Sequence, residues 1–134
     1  MALSDNKEVS EKHRRLLQNP VAGSSVIFKG AIVMSNASGF LAPASSLADA
    51  KMAGIAYEKC DNSTGSAGDK ECKLLREGAF LLSGSGFTQA DVGKVVYATD
   101  DETVALTQAV GDEVAVGKIA QVVSASQVYV DIEV

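Results

Sequence analysis

The stretch Gln127-Val128-Tyr129-Val130-Asp131-Ile132-Glu133-Val134 places Val128, Val130, Ile132 and Val134 on one side of an extended chain and Gln127, Tyr129, Asp131 and Glu133 on the other. Strict alternation of this kind marks a half-buried β-strand, because successive side chains leave opposite faces of a sheet. Just before it, residues 118–123 lead through Ser124-Ala125-Ser126, so the two runs read as a hairpin. A second hairpin is expected where Val95-Val96-Tyr97 and Val104-Ala105-Leu106 flank Asp100-Asp101-Glu102, whose short polar side chains hold a turn by bonding their own backbone.

Working outward, further strands are expected over residues 26–34, 51–57, 73–82, 94–98, 103–107, 114–123 and 127–134. Gly30, Gly54, Gly78, Gly93 and Gly117 lie inside or beside these runs. Glycine within a strand marks a bulge, a tight bend or a close backbone approach, so the sheet is expected to curl. An all-β small barrel or sandwich follows, and the lack of long helical patterns after residue 25 argues against a βαβ architecture. Residues 44–53 read equally as one short helix or an irregular crossing.

The composition changes near residue 20, which divides the chain into an arm, residues 1–24, and a β-domain, residues 25–134. In the arm, Asp5 stands as an N-cap with Glu8 as its capping-box partner, and Val9, Leu16 and Leu17 fall at helical spacing before Pro20 ends the pattern. A helix of about 14 residues with three apolar side chains is marginal alone in water. The segment is therefore expected to be either an arm that orders on a partner or a disordered tail.

The chain has 134 residues, 46% of them hydrophobic and 22% charged, which suits one folded domain. Its net charge of -5 argues against a nucleic-acid binder, which needs cations over much of one face. No apolar run is long enough for a membrane-spanning helix. The charged N-terminus has no apolar core of a signal peptide, so synthesis in the cytoplasm is expected.

The charge is unevenly shared: residues 1–23 carry four cations and three anions, for +1, and residues 24–134 carry eight and fourteen, for -6. The cluster Lys12, His13, Arg14 and Arg15 would suit an arm docking on an acidic surface.

Few side chains offer chemistry. Cys60, Cys72 and a remote His13 do not make a zinc set. Cys60 and Cys72 flank a Gly, Ser and Asp-rich loop, and if the adjoining strands pair, a disulfide would close its base. Free thiols are the expectation for a cytoplasmic product, and a bridge is the alternative for a protein working outside the cell.

Ser83-Gly84-Ser85-Gly86 looks like part of a phosphate loop, but Phe87-Thr88-Gln89-Ala90-Asp91 reads as a turn into a strand rather than a helix N-terminus. A Ser-His hydrolase is not expected, since the sole His lies in the arm. Asp100, Asp101 and Glu102 lack the alternating ligand spacing of a calcium loop. Asn62-Ser63-Thr64 matches a glycosylation acceptor by chance.

The ordered set Gly30-Ala31-Ile32-Val33, Ala53-Gly54-Ile55-Ala56-Tyr57-Glu58, Leu75-Arg76-Glu77-Gly78-Ala79-Phe80, Val92-Gly93-Lys94-Val95-Val96-Tyr97-Ala98-Thr99-Asp100-Asp101 and Val116-Gly117-Lys118-Ile119 resembles the head decoration proteins of tailed bacteriophages, the capsid cement and head-fibre-base families. The resemblance implies a small β-barrel or β-tulip domain on the outer surface of the virion capsid. It implies no enzyme activity and no cofactor. The partners it implies are the major capsid protein and further copies of the chain, a homo-oligomer with a trimer expected ahead of a dimer.

The charged segment ahead of the first strand departs from that family's pattern. Its candidate capsid-binding residues are Lys7, Lys12, Arg14, Arg15, Leu16 and Leu17, whose cations would meet acidic shell surface; bracing a neighbouring subunit is the alternative. Outside this class stands a small β-rich ligand-binding module, thin in aromatic side chains for a sugar or peptide platform. A carrier domain is a further rival, since Lys51-Met52 resembles part of its attachment pattern although Ala50 stands where a Met is expected.

Overall fold

The computed structural model describes residues 16–134. Twelve strands follow one another: β1 (Leu16–Pro20), β2 (Ser25–Ile27), β3 (Ile32–Ser35), β4 (Leu41–Pro43), β5 (Lys51–Ala56), β6 (Cys60–Asn62), β7 (Glu71–Leu75), β8 (Glu77–Ser83), β9 (Val95–Ala98), β10 (Val104–Ala105), β11 (Ala115–Ser124) and β12 (Gln127–Glu133). A 3-10 turn, Gln89–Asp91, precedes β9.

The alternation at the C-terminus does what it predicts. Val128, Val130 and Ile132 are fully buried, and β12 lies between β11 and β8 in a sheet ordered β10-β9-β11-β12-β8. This sheet curls until its outer strands approach each other, with an isolated bridge joining Ser83 to Thr103. A second five-stranded sheet is ordered β1-β7-β5-β3-β4, and its ends are likewise joined by a bridge between Val21 and Leu41. A two-stranded ribbon, β2-β6, completes the fold.

The sheet containing β1 is buried on both faces. Ile32, Met34 and Ile55 face the other sheet and join Val96, Val116, Ile119, Val128, Val130 and Ile132 in the large core. Val33, Leu41, Ala56 and Leu74 face the ribbon and form a smaller core with Ile27 and Cys60. The protein is thus an all-β sandwich with one sheet curled as a half-barrel.

Bulges let the strands serve these cores. Val33 pairs with Gly54 but Met34 pairs with Met52, so β5 carries one extra residue. That residue shifts the alternation, and Met52 and Ile55, three apart, both reach the large core. Gly54 has φ +148, and a side chain there would meet the Leu75 carbonyl. A bulge in β11 at Ala115/Gly117 similarly allows Val116 and Ile119 to share one core.

Several expectations need correction. Leu16–Pro20 is neither arm nor helix: β1 pairs antiparallel with β7 across its length, from Leu16 opposite Leu75 to Pro20 opposite Glu71. The free edge of β7 supplies ladder partners that a marginal helix cannot match, and Pro20 is tolerated at the strand's end. The β-domain therefore includes Leu16–Pro20, ahead of the expected residue 25. The rest of the arm lies outside the described residues.

The run 26–34 is two strands, broken at Phe28–Gly30, where Gly30 has φ +84 and Ala31 N–H donates to the Phe28 carbonyl. The run 73–82 is also two strands, parted at Arg76 and belonging to different sheets. Residues 44–50 cross irregularly before β5 begins. Both expected hairpins form: Val104 pairs with Ala98, and Lys118 with Asp131.

Candidate functional site

The end of the β2-β6 ribbon presents exposed aromatic side chains on a fixed backbone. Ile27 pairs with Cys60, which sets Phe28 opposite Lys59, and the Lys59 ammonium lies 5.3 Å from the Phe28 ring centroid. The turn is pinned from beneath, because Gly30 N–H donates to the Ala56 carbonyl at 2.9 Å. Tyr57 follows directly, its N–H donating to the Lys73 carbonyl at 3.0 Å. Phe28 is 57% exposed and Tyr57 48%.

Beside them lies a cleft of about 400 Å³ lined by Phe28, Lys29, Gly30, Ala31, Asp101 and Glu102. Its two lips are tied together, since Ile32 N–H donates to the Asp101 carbonyl at 2.7 Å. Asp100 folds the acidic lip, its Oδ1 accepting from the Glu102 and Thr103 N–H groups. The expected role of Asp100 as a turn former is the one it has.

Val110, the most exposed of the large apolar side chains among the described residues at 75%, stands on a loop closed by a buried carboxylate. Glu113 accepts from Val110 N–H at 2.7 Å and Gly111 N–H at 2.8 Å. The hydrogen bond from Val110 holds the Glu113 carboxyl below its usual value, against the opposing effect of burial. Asp91, also buried, is held down first by its bond to Lys94 and then by Thr88 N–H.

For both groups the native state binds the proton less tightly than the unfolded chain does. Their stabilisation is complete above the ordinary carboxylate value and is lost as pH falls through it toward the native value. Urea midpoints are expected to fall progressively below about pH 5, and Glu113→Gln to flatten that slope. An unchanged slope in Glu113→Gln would show that the Val110 loop does not depend on the charge.

The cysteines form a disulfide, with Cα atoms 5.7 Å apart and a sequence separation of 12. The expectation of free thiols is thus corrected, and the bridge does not come from pairing of the flanking strands: β6 pairs with β2, and β7 with β1 and β5. The sulfurs meet inside the small core instead, clasping the ribbon to the sheet. Next to this clasp Asn62 is buried, and its Nδ2 donates to the carbonyls of Ala22 and Ser66 at 3.0 and 2.9 Å. That amide is committed to the loop, so the glycosylation pattern at Asn62 is not presented to solvent.

Of the candidate capsid-binding residues, Lys7, Lys12, Arg14 and Arg15 lie outside the described residues. Leu16 and Leu17 lie in the edge strand β1, with Leu16 exposed and Leu17 half-buried. Lys51 opens β5 opposite Ser35 rather than standing at a hairpin tip, so the carrier pattern is not formed. Sequence reasoning missed the aromatic end altogether. Phe28 and Lys59 are brought together only through β2 and β6, strands of three residues that are too short to leave a period.

No family model matches this chain, and neither a curated protein nor a solved structure matches it.

Proposed function

We propose that the protein is a structural component of a tailed-bacteriophage virion that binds the outer capsid surface, contacts the major capsid protein and stabilises or decorates the shell. The observation carrying this reading is Val110, exposed on a loop that the buried Glu113 carboxylate fixes through two backbone N–H groups. Apolar side chains on pre-ordered turns lose little entropy on contact, which suits a surface that binds another macromolecule. The ordered resemblance described above supports the same reading. Many copies on one shell would multiply a modest contact energy.

Rate-zonal sedimentation of lysate from the native source, with mass spectrometry across the gradient, tests this directly. The chain is expected to travel with large particles at many copies each; recovery only as a small species at the top would overturn the reading. The arm is tested separately by deletion. Because β1 belongs to the sheet, the deletion must stop at residue 15. Removing residues 1–15 is expected to weaken shell binding roughly tenfold or more, since four cations are lost, while the thermal midpoint stays within a few degrees. Undiminished binding would remove the arm from the interface.

A further inference from the structure

The aromatic end holds both halves of a self-complementary set. Lys29 and Lys59 supply cations beside Phe28, and Asp101 and Glu102 supply anions on the facing lip of the same cleft. We infer that this end pairs with the same end of a second copy of the chain about a two-fold axis. In such an isologous contact Lys29 of one copy meets Asp101 and Glu102 of the other, and the reverse contact forms at the same time. Phe28 and Tyr57 of both copies fill the centre, where water is excluded.

The charge balance favours this partner. Residues 24–134 carry -6, so two bodies repel in general and attract only where opposite charges are brought into register. A head-to-tail ring needs its two complementary patches on different sides of the protomer. Here they flank one cleft, which is the arrangement a two-fold contact uses. The lips are already fixed by the Ile32-to-Asp101 and Gly30-to-Ala56 hydrogen bonds, so pairing orders little backbone. Phe28, Tyr57, Lys29, Asp101 and Glu102 are few beside the roughly 20–30 residues a side of a stable complex, so pairing is weak in dilute solution and fills when copies are concentrated on a surface.

Sedimentation equilibrium of the full chain, from about 1 µM to 1 mM, reads the association. A monomer–dimer equilibrium is expected, weakened roughly tenfold or more by Phe28→Ala. Lys29→Glu alone and the double variant Asp101→Lys, Glu102→Lys alone are each expected to be monomeric. Mixed together, they are expected to regain a one-to-one dimer, because every lip then meets its opposite. Thermal melts of all variants should match the parent, since Phe28, Lys29 and Glu102 are exposed and Asp101 is only half-buried.

A monomer at every concentration, or a trimer mass, would overturn the inference. So would a dimer indifferent to these changes, or a mixture that stays monomeric. Absence of the parent chain from shell particles, with the dimer intact, would instead count against the proposed function alone.

Discussion

Gly54→Ala is expected to cost about 2–5 kcal/mol of unfolding free energy, a large share of the stability of a domain this size. The backbone at this position has φ +148, and the added methyl is directed against the Leu75 carbonyl, part of the neighbouring strand rather than a movable side chain. Relief would require removing the bulge in β5, and that would turn either Met52 or Ile55 out of the large core. Gly39 is the control: it has φ +88 with nothing within 4 Å of an added Cβ, so Gly39→Ala reports backbone strain alone. Its cost is expected near 1 kcal/mol. Urea unfolding of both variants decides the matter, and equal losses would show that the close approach of β5 to β7 contributes nothing.

The second large effect is expected from the disulfide. Replacing both Cys60 and Cys72 by alanine opens a loop with a separation of 12 residues, which in the chain-entropy account costs about 3 kcal/mol. The thermal midpoint is then expected to drop by roughly 10 °C. Both cysteines are buried in the small core, so the alanines also leave a void between ribbon and sheet. Amide exchange should localise the damage, with protection lost first in β2 and β6 and retained in β11 and β12, whose contacts belong to the large core. A double variant that melts within about 2 °C of the parent would show that the clasp is dispensable.

What the sequence made readable was governed by where the alternation had one meaning. In β12 the apolar face meets a single core, and Val128, Val130 and Ile132 were legible at once. Across residues 73–82 the period continues unbroken, yet Leu74 enters the small core and Leu82 the large one. Alternation records that a face is buried, not against what, so the change of sheet at Arg76 leaves no trace. Leu16 and Leu17 were misread because their spacing from Val9 fits a helix, and nothing local announces that β7 offers them an edge. The glycines were better guides, since Gly54 and Gly117 do mark bulges. The aromatic end was illegible because Phe28 and Lys59 become neighbours only after β2 and β6 pair.

Arg76 also divides the chain in time. Every strand of one sheet, and the ribbon with it, lies between Leu16 and Leu75, and every strand of the other lies between Glu77 and Glu133. During synthesis the first half leaves the ribosome with all the strands and both cysteines of the small core, before the second half exists. It can close that core early, but Ile32, Met34 and Ile55 then wait uncovered on its other face. The nascent chain therefore passes through a stage with a finished interior on one side and an adhesive one on the other. How quickly β8 to β12 arrive sets how long that surface is available to the wrong neighbour.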